Sequence, residues 1–105
     1  MNFNEYQTLA ISTAIYSEKW KIIYPALGLC GEAGEVAEKI KKNIRDGAKD
    51  SFKNDIKKEL GDVLWYVAVL ANDIDIPLED IAKSNIQKLA DRKKRNMISG
   101  DGDNR

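Results

Sequence analysis

Glu59-Leu-Gly-Asp-Val-Leu-Trp-Tyr-Val-Ala-Val-Leu-Ala71 is the stretch on which the reading of this chain turns. From Val63 to Ala71 it is apolar nearly all round, and a helix with no polar face is buried on every side. The uncharged run, Val63 to Asn72, is far too short to span a bilayer. It reads as the centre of a helix running from about Phe52, with Ser51 able to cap it, to Asp73. Upstream, Asp46-Gly47 is a helix-ending pair that closes a second helix from about Ala26 to Arg45. Before that lie a short aromatic connector through Trp20 and Tyr24 to Pro25, and a first helix from about Asn4 to Tyr16. Downstream, Pro77 falls in the first turn of a fourth helix that runs to about Met97. No repeat, low-complexity tract or strand-like alternation is visible. The expected class is all-α, a four-helix bundle in one domain over residues 1–97, followed by a Gly/Asp-rich tail, 98–105.

Composition narrows the function. The 105 residues carry 17 basic and 17 acidic side chains, so no global field attracts nucleic acid or a membrane. A single cysteine, Cys30, excludes an internal disulfide framework and suits a reducing cytoplasm. There is no signal peptide pattern. The absence of histidine removes the commonest general base and histidine-ligated metals. Size adds a further expectation. So short a chain buries a limited fraction of its surface, and three partner helices do not easily cover the third, so helices of a second subunit are expected to complete it.

Two segments carry acids at i,i+3 spacing, Glu32 with Glu35 and Glu59 with Asp62. Each pair lies about 60° apart on the wheel and roughly 4.5 Å apart along the axis. On the second helix Leu29, Ala33, Val36, Ala37, Ile40 and Ile44 define the apolar arc, with Glu32 at its edge, Glu35 just beyond and Glu38 on the far side. On the third, Glu59 and Asp62 share an arc with Val63, Tyr66 and Leu70. Ionised carboxylates along a helix interface are costly unless paired or metal-bound. Four of them converging without histidine suit a hard cation, Mg²⁺ or Mn²⁺. The bland alternative is solvated helix charge, with Glu35 paired to Lys39. Gly28, Gly31, Gly34 and Gly61 lie beside the acids, either for close helix packing or to make room for a ligand.

These residues carry a resemblance. Ala26-Leu-Gly-Leu-Cys-Gly-Glu-Ala-Gly-Glu-Val-Ala-Glu38 and Glu59-Leu-Gly-Asp-Val-Leu-Trp-Tyr66 resemble the two halves of the MazG-type nucleotide pyrophosphohydrolase motif, Glu-x-x-Glu, a spacer, then Glu-x-x-Asp. Asn85-Ile-Gln-Lys-Leu-Ala-Asp-Arg92, the ending Gly100-Asp-Gly-Asp-Asn-Arg105, Tyr6-Gln7 and Thr13-Ala14 extend the likeness over most of the chain. Many relatives have arginine before the Thr-Ala pair, where this chain has Ser12. The resemblance implies an all-α fold of intimately paired subunits, a homodimer or dimer of dimers. It implies Mg²⁺-dependent hydrolysis of nucleoside triphosphates, NTP or dNTP, to the monophosphate and pyrophosphate, with Glu32, Glu35, Glu59 and Asp62 as metal ligands. Carboxylate-held metal suits that chemistry, and one carboxylate could accept the proton of the attacking water.

On the fourth helix the apolar arc holds Leu78, Ile81, Ala82, Ile86 and Leu89, with Asn85 inside it and Lys88, Arg92 and Arg95 along one edge. Family likeness and the shared face assign Asn85, Lys88, Arg92 and Arg95 to the triphosphate. The local basic excess is too small to argue for nucleic acid. The tail is expected to be mobile and to close over substrate, with Arg105 on a phosphate. Tyr16, Trp20 and Tyr24 either stack on the nucleobase or seal a subunit interface, and Tyr66 is either a nucleotide neighbour or a core tyrosine. Two other functions compete: a phosphoribosyl-ATP pyrophosphohydrolase, which shares the acidic motif but lacks the glycine-rich ending, and a catalytically silent helical dimer that binds a protein partner.

Overall fold

The structure, a computed structural model, describes residues 1–105 and contains helices and no strand. Helix α1 spans Phe3–Ile11, a short 3₁₀ turn spans Glu18–Trp20, and α2, α3 and α4 span Ile23–Asp46, Phe52–Asp73 and Leu78–Lys94. α2 and α3 form a long antiparallel hairpin, closed where α2 ends at Gly47, whose φ of 91° favours glycine. α1 and α4 pack on the C-terminal half of α3. The core is small: Ala10, Ala68, Val69 and Leu78, flanked by Tyr6, Ala14, Tyr16, Trp65 and Val67.

One buried polar side chain joins the three helices around that core. The Gln7 amide donates to the carbonyls of Ala68 and Ile76, each at 3.1 Å, and its oxygen accepts from the Leu78 N–H at 2.9 Å. Pro77 is therefore the residue before α4, rather than part of its first turn, and Gln7 satisfies the first amide of the helix. α1 ends at Ile11, five residues earlier than the pattern predicts. The Ser12 and Thr13 hydroxyls donate to the carbonyls of Leu9 and Ala10, competing with the next turn, and Trp65 Nε1 donates to Thr13 Oγ1 at 2.8 Å. Tyr24 and Pro25 belong to the first turn of α2, where the missing proline N–H is no loss. Ser51 precedes α3 but does not cap it, its hydroxyl donating instead to Asp55 at 2.9 Å.

The chain does not cover its own apolar surface. The centre of α3, expected to be enclosed on every side, is buried only at Ala68, Val69 and Ala71, while Leu60 is 52% and Leu64 38% exposed. On α2 the expected core arc is half-buried at Leu29 and Val36 and exposed at Ala33, Ala37, Ile40 and Ile44. Of the expected apolar arc of α4 only Leu78 is buried, and Ile81, Ile86 and Leu89 are exposed, as is Asn85. The cause is geometric: α2 has a neighbour on one side only. The radius of gyration is 16.5 Å, against about 13 Å for a compact domain of this length. The exposed surface is 7838 Å², against about 5,900 Å² for a folded monomer of this mass. No helix is long and apolar enough to cross a membrane.

Candidate metal centre

Where α2 faces α3, Gly28, Glu32 and Lys39 form one stripe, each close to one or two turns from the next. Glu59, Asp62 and Tyr66 form the facing stripe. Carboxylate oxygens of Glu32, Glu59 and Asp62 lie within 4.8 Å of one another. Glu32 and Glu59 are half-buried and Asp62 is exposed. Loss of solvent, then the charges of Asp62 and Glu59, holds the Glu32 carboxyl above its usual range. The one cation in reach is Lys39, with Nζ 3.9 Å from Glu59 Oε1. Three acids with so little compensation make an all-oxygen donor set, which fits a hard divalent cation.

Of the four acids expected to converge, the structure gathers three. Glu35 is exposed and stands outside the group. It lies about 60° around the helix from Glu32, while Lys39, one heptad on, shares the Glu32 stripe. The surface pairing of Glu35 with Lys39 is accordingly absent, because Lys39 reaches across to Glu59. Glu38 lies outside the group, as the wheel predicts, and Lys41 at 2.9 Å and Lys42 at 3.7 Å hold it.

The aromatics form a continuous wall beside the acids. Tyr16 and Tyr24 stack with centroids 4.8 Å apart, Tyr24 lies 6.5 Å from Tyr66, and Trp65 meets Tyr66 edge-on at 4.9 Å. Burial, then Tyr24, Glu32 and Asp62, pushes the Tyr66 hydroxyl up. Trp20 is not part of the wall. It is 47% exposed, with Lys19 over its ring. Three residues that sequence reasoning passed over as site residues belong here. Tyr6 lies close enough to Asp62 for that charge, after burial, to raise its hydroxyl. Lys39 touches Glu59. Asp73 accepts from the Tyr16 hydroxyl at 2.6 Å. Only Lys39 was findable, from its seven-residue spacing to Glu32.

The α4 stripe makes no hydrogen bond or ion pair with Glu32, Glu35, Glu59 or Asp62 of its own chain. Asn85 and Lys88 line a cleft of about 420 Å³ with Ser84 and Asp103. Lys88 Nζ lies 2.8 Å and Arg92 Nη2 3.3 Å from Asp103 Oδ1, and Arg92 also donates to the Asp103 carbonyl. Lys88, then Arg92, holds the Asp103 carboxyl below its usual range. Arg95 pairs with Asp91 and donates to the Arg105 carbonyl. Arg105 itself donates to the carbonyls of Met97, Ile98 and Gly102. The tail is thus a closed loop folded onto the basic stripe.

Residues 25–97, which hold both acidic pairs and all of α3, match the MazG nucleotide pyrophosphohydrolase domain. The chain belongs to the MazG nucleotide pyrophosphohydrolase family. It is also similar to the Gene 37 protein of Mycobacterium phage L5, 44% identical over an alignment of 116 positions that covers the whole of both chains. No solved structure matches it.

Proposed function

We propose that this chain is a divalent-cation-dependent nucleoside triphosphate pyrophosphohydrolase, converting NTP or dNTP to the monophosphate and pyrophosphate. The observation that carries the reading is the convergence of Glu32, Glu59 and Asp62 from two helices with only Lys39 to offset them. Those three would hold Mg²⁺, or Mn²⁺ in its place, with Glu35 one turn away as the fourth ligand. The chemistry such a cation supplies when bound is neutralisation of phosphoryl oxygens and activation of water. One of these four carboxylates, with an oxygen not taken by the cation, is suited to take the proton of the water that cleaves the α–β anhydride. Asn85, Lys88, Arg92 and Arg95 are the proposed triphosphate contacts, an assignment supported by two of these cations converging on one anionic oxygen of Asp103. Residues 98–105 would close over the triphosphate by giving up their own bonds, Arg105 included. Tyr24 and Tyr66, beside the acids, are the aromatics placed to meet a base, with Tyr16 behind Tyr24.

The test is pyrophosphate release from a panel of NTPs, dNTPs and phosphoribosyl-ATP, with and without Mg²⁺. Metal-dependent pyrophosphate from triphosphates is expected. Activity on phosphoribosyl-ATP alone would move the chain to the histidine-pathway type of enzyme. No pyrophosphate from any nucleotide would leave the silent helical dimer.

A second copy of the chain is part of the proposal, as a homodimer or dimer of dimers in the cytoplasm without nucleic-acid or membrane partners. The excess exposed surface, about 1,900 Å² over a compact monomer, matches what one subunit of an obligate pair hides. Folding and association then become one event, and the midpoint of thermal unfolding should rise with protein concentration. A folded 11.8 kDa monomer in sedimentation at micromolar concentration would contradict the assembly.

A further inference from the structure

The backbone between α1 and α2 ends in an unfavourable turn. Ile22 has φ 69° and ψ −54°, and the Ile23 N–H donates to the Lys21 carbonyl at 2.7 Å. That is a three-residue γ-turn of the rare, strained hand, with a β-branched residue at the position that tolerates one least. Such a conformation persists only where its surroundings over-determine it. Here the restraint is one carboxylate oxygen. Asp73 Oδ2 accepts the Ile22 N–H at 2.9 Å and the Tyr16 hydroxyl at 2.6 Å, so the connector is tied at its middle and at its end to the last residue of α3.

This clasp sits at a fixed distance from the acids. Ten residues separate Ile22 from Glu32 along α2, and eleven separate Asp73 from Asp62 along α3. At the helical rise these are runs of about 15 and 16.5 Å on two antiparallel rods. Pinning the rods together at Ile22 and Asp73 therefore fixes their axial register at the carboxylates. Between clasp and acids, Gly28 lies against the Tyr66 ring with no room for a side chain, which makes the register steep to change.

We infer that Asp73 is a positioning residue for the carboxylate site, acting through the strained Ile22 turn to set Glu32 opposite Glu59 and Asp62. The inference rests on the metal reading given above. A shift of about 1 Å at a reacting centre can cost a hundredfold in rate, and one residue of slip along a helix is about 1.5 Å. A carboxylate remote from the chemistry thereby controls it.

The experiment is Mn²⁺ binding alone, measured by electron paramagnetic resonance well below the melting temperature, with helicity checked by circular dichroism. Asp73→Ala should weaken Mn²⁺ at least tenfold while the chain stays helical. Asp73→Asn, which keeps an acceptor oxygen, should restore binding to within about twofold. If Asp73→Ala does not fold, Tyr16→Phe, which removes one of the two bonds, should weaken Mn²⁺ about threefold. A folded Asp73→Ala or Tyr16→Phe that binds Mn²⁺ as the wild type does would overturn the inference and leave the metal reading intact. A wild-type chain that binds no Mn²⁺ would overturn both.

Discussion

Glu59→Gln and Asp62→Asn should each lose turnover by about a thousandfold, roughly 4 kcal/mol of transition-state stabilisation, while Glu38→Gln keeps the wild-type rate. The contrast follows from geometry: Glu59 and Asp62 are two of the three gathered acids, and Glu38 is held by Lys41 and Lys42 away from them. Glu35→Gln shows whether the fourth acid joins the site, and a loss comparable to that of Glu59→Gln is expected. Stability should move the other way. The Glu32 carboxyl is raised in the folded chain, so its ionisation weakens the fold as pH rises from the usual carboxylate range through that higher value. At neutral pH in a chelator, Glu32→Gln should therefore melt above wild type. Mg²⁺ should reverse the order, because only the wild type gains fully from binding. Glu59→Gln with the activity of Glu38→Gln would sink the site assignment.

Gly28→Ala should be among the most destabilising single-methyl changes in the chain. A Cβ at Gly28 would overlap Cε1, Cζ and Cδ1 of the Tyr66 ring. That half-buried ring is flanked by Trp65 and Tyr24, so it can yield only by shifting against them. Overpacking of this kind costs about 1–3 kcal/mol, against about 1 kcal/mol that alanine gains over glycine within a helix. The net fall in melting temperature should be of order 5–10 °C, with a loss of activity because Tyr66 adjoins Asp62. Tyr66→Leu in the same chain should return much of the stability. An unchanged or raised melting temperature for Gly28→Ala alone would show that the two helices have slack at this point.

The helical class and the span of α3 were legible because they depend on local pattern, an uninterrupted apolar run bounded by Ser51 and Asp73. The end of α1 was not, because Thr13 takes its indole partner from 52 residues away. Glu32, Glu59 and Asp62 could be read from spacing alone. The outlying place of Glu35 could not. The wheel marks Leu29, Ala33, Val36, Ala37, Ile40 and Ile44 as the buried arc of α2, whereas α3 packs against the stripe of Gly28, Glu32 and Lys39 beside it. An apolar arc records what must be kept from water without recording which neighbour does it. Asp73 was invisible for a related reason. Its partners lie 51 and 57 residues distant, and nothing in its own neighbourhood marks it.

The Gln7 joint has a consequence for chemical ageing. Its amide donates twice and accepts once, and no other side chain of that length offers the combination: glutamate has no donor, methionine and lysine no equivalent acceptor, and asparagine is a methylene short. Deamidation of Gln7 would exchange one atom group for another of nearly the same size. Yet it would set a carboxylate oxygen against the carbonyls of Ala68 and Ile76, converting two attractions into two repulsions in a core of four residues. Hydrolysis of that single amide would therefore unseat the joint between α1, α3 and α4, and the burial that makes Gln7 hard to replace is also what keeps water from it.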